Sequence, residues 1–346
     1  MLVITSPHAE HDPERLAPMA DRRYWEVPAR ADALLAAVET LGYPVVAAHD
    51  HGLDPIRRVH DAGYLDFLAT GYERFRALPN AGPALRAGAY AVRHASHRPD
   101  HVLGQAGYHL SSLSAPILAA TWRAAVGAAH AAIDGADRIL AGERVAYALC
   151  RPPGHHAHTD MAGGFCYLNN AAVAAQRMLD AGTGPIAILD FDVHHGNGTQ
   201  QIFYARDDVF YASVHGDPAH LYPFYQGYAD ETGTGAGMGW NLNLPLPPGT
   251  GDTGFFRAIL RAVEAIRTKA PAVLIVSMGF DPQAGDPTAN LAVSADGFSA
   301  AGRIIASLDM PTLLVQEGGY IVERLGDNLT AFLRAFLASA DGQPSR

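Results

Sequence analysis

The chain alternates between short runs that are apolar at every position and longer segments that are apolar along one stripe only. The continuous runs fall at 2–5, 45–48, 145–150, 186–190, 209–214, 272–278 and 312–316, and each gives way to a polar or glycine-containing stretch. A strand buried on one face alternates apolar and polar residues, so a run without alternation predicts a strand buried on both. Between the runs lie alanine-rich amphipathic segments, among them 121–141, 168–181, 254–269 and 299–308. Their apolar residues recur at helical spacing. The succession of strand and helix predicts an α/β fold with a parallel sheet covered by helices on both sides. No internal repeat or linker-like tract interrupts it, which predicts one domain over 1–346. One segment breaks the rhythm: 77–116 carries Pro79, Pro83, Pro99, Pro116 and several glycines with no clear period. A long irregular stretch inside a compact domain usually lines a site or meets a partner.

Composition narrows the function classes. A formal net charge of -10 leaves no basic surface to neutralise phosphates, so nucleic acid is not the expected partner. Cys150 and Cys166, the two cysteines, lie in apolar or glycine-rich surroundings, which predicts free thiols in a reducing compartment. The N-terminus turns polar and acidic after Met1-Leu2-Val3-Ile4, unlike a signal peptide. No apolar run approaches the roughly 20 residues that span a bilayer. The expectation is a cytoplasmic protein without membrane contact.

In parallel α/β sheets, ligands bind beyond the carboxyl ends of the strands. The polar residues of interest fall there: RPPGHHAHTD after Cys150, DFDVHHGNGT after Leu189, VHGDP after Ser213, GFDPQAGDP after Met278 and EGGY after Gln316. In Asp192-Val193-His194, side chains two apart project to the same side. Asp281 from another strand end would complete a set of two carboxylates and one imidazole. That set suits Zn²⁺ with an open position for water and substrate, and Fe²⁺ or Co²⁺ would fit similar chemistry. His155 and His156 follow a stiff Pro-Pro-Gly and could act as general base and acid beside such a centre. Each imidazole needs a partner on its other nitrogen, and Asp190 and Asn197 bracket the ligands. Tyr320 follows two glycines that allow a close approach to the site, which predicts an oxyanion donor.

PPGHHA, GGFCYLNNA, DFDVHHGNGT, GFDPQAGDP and EGGY, in this order, resemble the histone deacetylase-like branch of the arginase–deacetylase superfamily. VHDAGYL, CRPPGHHA, VHGDP and QGYADETGTGAG are similar to the bacterial acetylpolyamine amidohydrolases within that branch. The resemblance implies a single-domain parallel sheet of about eight strands flanked by helices. It implies zinc on Asp192, His194 and Asp281, with Asp190 behind His155 and Asn197 behind His156. His156 would be the general base and acid, His155 would hold the water, and Tyr320 would polarise the carbonyl. Gly164, Phe165 and Tyr222 match the walls of a narrow tunnel for an extended amine. A structural K⁺ is implied at Asp190, Ser213 and Val214 with backbone at Asp192 and His194, and a homodimer through 77–116.

The implied reaction is removal of an acetyl group from a small acetylated amine, an acetylpolyamine above others. A broad-specificity or lysine deacylase is the alternative, and a non-catalytic acyl-binding protein a further one. An arginase-like ureohydrolase would need a second metal and the pattern D-x-H-x-D, but Gly196 stands where the second Asp would be. One departure concerns the substrate. Leu103 and Ser114 are neutral where polyamine-specific members are expected to place acids at the tunnel mouth, which leaves Glu10, Glu14 or Asp100 as stand-ins.

Overall fold

A computed structural model describes residues 1–91 and 97–340. Eight strands, β1 (Leu2–Thr5), β2 (Val45–Ala47), β3 (Val145–Leu149), β4 (Ile186–Asp190), β5 (Val209–Gly216), β6 (Asn241–Leu246), β7 (Val273–Met278) and β8 (Thr312–Gln316), form one sheet. Its order is β2-β1-β3-β8-β7-β4-β5-β6, and every neighbouring pair is parallel.

Alternate residues of the strands enter two separate cores. Ile4, Ala146, Ala148, Ile188, Ile275 and Val315 pack under the helices Thr121–Leu140 and Asn170–Asp180. Val3, Tyr147, Leu189, Phe210, Val276 and Leu314 pack under Ala29–Thr40, Asp252–Lys269, Ala295–Ala306 and Val322–Ala340. Burial on both faces is why the strands read as unbroken apolar runs. None of the described helices is long and apolar enough to cross a membrane.

The structure departs from the pattern in two places. Strand β6 was not among the seven apolar runs, because its buried positions include Asn241 and Asn243 and it contains Pro245. Both amides donate to Gln200 Oε1, at 2.9 and 2.8 Å, so their burial is hydrogen-bonded. An edge strand tolerates the proline. The segment 77–116 is not irregular throughout. It contains the helix Val102–His109, hidden by Gly104 and Gly107, and its Leu85, Val102, Ala106 and Ala115 lie in the first core. Residues 92–96 of that segment lie outside the described residues.

Candidate active site

Strands β4 and β7 are neighbours with Asp190 in register with Ser277, so the segments leaving them run side by side. That brings Asp281 to Asp192 and His194. His194 Nδ1 lies 3.2 Å from Asp192 Oδ1 and 3.2 Å from Asp281 Oδ2, and both carboxylates are fully buried. His194 Nε2 donates to the Thr288 carbonyl at 3.0 Å, which turns the ring so that Nδ1 faces the two acids. Asp281 Oδ2 has no hydrogen-bond donor. Burial, with the Asp192 charge, pushes the Asp281 carboxyl up to about 7. Two buried carboxylates crowded against one imidazole are costly to keep without a counter-charge, and a divalent cation supplies one. The donor set is therefore a good fit to a metal, with three protein ligands as in catalytic centres.

The two histidines beside this cluster have opposite surroundings. His155 Nδ1 donates to Asp190 Oδ2 at 3.0 Å, and Tyr211 donates to the same oxygen at 2.9 Å. Burial disfavours the charged imidazole, but Asp192 and Asp190 outweigh it and raise His155 to about 10. His156 Nδ1 instead meets the neutral Asn197 Oδ1 at 2.7 Å. Burial, then the charges on His155 and His194, push His156 well below the usual histidine range. A metal on His194 would act in the same direction. The two rings, 4.1 Å between centroids, are thus biased in opposite directions, His155 towards the cation and His156 towards the free base.

Gly164 passes so close to His156, at φ +52°, that a Cβ would overlap the imidazole. Phe165 follows at φ +68°, a conformation costing on the order of 1–3 kcal/mol outside glycine. The strained backbone turns its ring to Tyr24 and Tyr320, 4.9 and 5.4 Å between centroids. Tyr222, in the loop after β5, sets its ring edge-on to His156 at 4.9 Å. His156, His194, Gly164, Phe165, Tyr222 and Tyr320 all line one cavity of about 300 Å³.

Towards solvent the same cavity is bordered by Arg22, Ser112, Leu113 and Ser114. Leu103 does not line it, and neither do the three candidate acids. Glu10 pairs with Arg123, Glu14 accepts the Tyr24 N–H at 2.6 Å, and Asp100 is an exposed residue whose carbonyl accepts from Arg74. Among the described residues lining the cavity, Arg22 is the one arginine, and its guanidinium lies 3.5 Å from the exposed carboxylate of Asp21.

Ser213 and Val214 lie inside β5 rather than beyond it, with Ser213 opposite Asp190 and its Oγ 2.8 Å from His215 Nδ1. A Cβ on Gly196 would overlap Asp190 and Tyr211, so no second-metal carboxylate fits there.

Four residues bonded to the site's surroundings escaped the sequence reading although three lie inside its motifs. Asp286, of GFDPQAGDP, accepts from the backbone of Tyr320 and from Thr288. Glu317, of EGGY, accepts from the backbone of Gly154 and His155. Arg151, ahead of PPGHH, and Arg30, from the helix Ala29–Thr40, share the buried Glu26. Arg30 also stacks 4.7 Å over the Tyr320 ring. The spacing of Glu26 and Arg30 looks like an ordinary surface pair, and nothing local marks it as buried.

A family model described as histone deacetylase domain matches residues 24–336. The acetylpolyamine amidohydrolase of Mycoplana ramosa is 46% identical over 312 residues, covering 90% of this chain and 91% of the relative. Acetylpolyamine amidohydrolase 1 of Pseudomonas aeruginosa is 43% identical over 320 residues, covering 91% and 92%. Among solved structures, the acetylpolyamine aminohydrolase of Burkholderia pseudomallei superposes with a TM-score of 0.93 at 44% identity, covering 98% of this chain and 99% of that one. The chain belongs to the histone deacetylase family.

Proposed function

We propose that the chain is a zinc-dependent amide hydrolase that removes the acetyl group from an acetylated polyamine or a related small amine. The observation that carries this reading is a cavity lined by His156, Tyr320 and His194, the last clustered with the buried carboxylates of Asp192 and Asp281. Asp192, His194 and Asp281 would hold the zinc, which when bound supplies Lewis acidity towards the amide carbonyl and the attacking water. His156, uncharged and oriented by Asn197, takes the proton of that water. His155, whose Nδ1 donates to the buried Asp190, opposes the charge that builds on the carbonyl oxygen. Tyr320 donates its hydroxyl proton in a hydrogen bond to the same oxygen. His156 then passes its proton to the departing nitrogen, and acetate and free amine result. Gly164, Phe165 and Tyr222 would flank the extended chain of the amine.

The acetylpolyamine class rests on the names of the relatives, each at 42–46% identity. A second reading, a deacylase of neutral or lysine-borne amides, is favoured by Arg22 at the mouth and by the neutral Ser112 and Ser114. Comparing kcat/KM for acetylputrescine, acetylspermidine, an acetyl-lysine peptide and a neutral acetylated alkylamine tests both. Polyamine substrates should lead, and a neutral amide leading would replace the first reading with the second. The same proposal includes a potassium ion at Asp190, Ser213 and Val214, dimerisation through 77–116, and residence in the cytoplasm.

A further inference from the structure

Strands β3 and β8 are neighbours, so the turn that carries the two histidines lies against the segment that leads to Tyr320. Glu317 joins them. Its Oε2 accepts the backbone N–H groups of Gly154 at 2.7 Å and His155 at 3.1 Å, while Oε1 accepts from Ser277 Oγ on β7 at 3.3 Å. The side chain is fully buried. The main chain from Glu317 to Gly319 is held as well. Gly318 donates to Asp192 Oδ2 at 2.7 Å, and Arg30 binds the carbonyls of Glu317 and Gly319 at 2.7 and 2.6 Å.

Burying a carboxylate is costly, and two backbone N–H groups could be satisfied by a carbonyl at far smaller cost. What a carboxylate on a flexible stem adds is reach: one group spans β7, β8 and the turn after β3. We propose that Glu317 is a positioning residue for the tandem histidines. It fixes the Gly154–His155 peptide at one distance from the metal ligands and, through Gly318, from Tyr320. Position matters here because a misplacement of about 1 Å costs up to about 10²-fold in rate. The proposal rests on the deacetylase reading for its kinetic readout but not for its spectroscopic one.

Two variants separate reach from charge. Glu317→Gln keeps the length, offering its oxygen to both N–H groups and its amide to Ser277. Glu317→Asp keeps the charge and shortens the stem by one methylene. With metal-loaded protein and an acetylated amine, E317Q should keep kcat within a few-fold of the parent. E317D should lose roughly 10–10²-fold in kcat with KM little changed. The imidazole ¹⁵N spectra of His155 and His156 should shift in E317D and stay near the parent in E317Q. The reverse ranking, or an E317D with parental kcat and parental spectra, overturns the proposal. So does a loss in both variants that follows only a lowered unfolding temperature. If the parent hydrolyses no acetylated amine, the deacetylase reading fails, and the ranking of the imidazole spectra still decides the role of Glu317.

Discussion

Asp286 Oδ2 accepts the backbone N–H of Tyr320 at 2.8 Å, across 34 residues of chain. Its other oxygen accepts the backbone and hydroxyl of Thr288, at 2.9 and 2.8 Å, and the Thr288 carbonyl in turn orients His194. One buried acid thus couples the proposed oxyanion donor to a proposed metal ligand. Removing such an outer partner typically costs 10–100-fold in metal affinity or activity. We expect Asp286→Ala to lower metal affinity and kcat together by about that range. A chelator-competition titration beside steady-state kinetics measures both, and a change in neither would make Asp286 a turn residue only.

Purified protein should contain about one equivalent of metal, as a single three-ligand centre requires. Asp192→Ala and Asp281→Ala should each lose it, as read by elemental analysis. A hydroxamate, which chelates through two oxygens, should inhibit the parent. Full occupancy in either variant would assign the metal elsewhere.

His156 and His155 should respond differently to substitution because their partners differ in charge. His156→Ala should cost about 10²–10⁴-fold in kcat. Asn197→Asp offers a sharper test. A carboxylate on Nδ1 would raise the His156 pKa as Asp190 raises that of His155. The ring must be uncharged to take a proton, so N197D should lose activity below its new pKa and recover it as the pH rises. A pH–rate profile identical to that of the parent would remove His156 from proton transfer.

Tyr320→Phe keeps the ring that Phe165 and Arg30 pack against and deletes the hydroxyl alone. A lost oxyanion donor costs on the order of 10²–10³-fold in turnover. Metal content and KM should stay close to the parent. Unchanged turnover would make the tyrosine a wall of the cavity and nothing more.

Arg22 gives the substrate question a direct handle. A guanidinium at the mouth repels an ammonium, so Arg22→Ala should raise kcat/KM for acetylspermidine and leave a neutral acetylalkylamine unchanged. The gain should shrink as salt rises, since the Debye length is about 10 Å at 0.1 M. Equal effects on both substrates would mean that Arg22 acts by bulk.

Seven strands were legible because each is a continuous apolar run, six of them buried on both faces and the edge strand β2 only half-buried, and the ends of the inner ones marked the rim of the site. Asn241 and Asn243 hid the eighth, since only the fold reveals that Gln200 waits for their amides. That Asp192, His194, Asp281, the two histidines and Tyr320 come together was legible for a similar reason: each sits within a few residues of a strand end. Arg30 was not, because its bonds to Gly319 and Glu317 cross 289 and 287 residues. The surroundings of Glu10 and Glu14 were equally hidden, as the partners that occupy them are Arg123 and the Tyr24 backbone.

The adjacency of β4 and β7 has a thermodynamic consequence. Val193, between two of the proposed ligands, donates to Asp281 across 88 residues, and the strands β5 and β6 lie in the sequence between them. An unfolded chain cannot gather such ligands, so an ion held there binds the native state and not the unfolded one. By mass action each tenfold of free metal above Kd then adds about 1.4 kcal/mol to the free energy of unfolding. Metal supply would set the thermal tolerance of the protein as well as its activity, and a cell that starves it of the ion would both silence it and hasten its turnover.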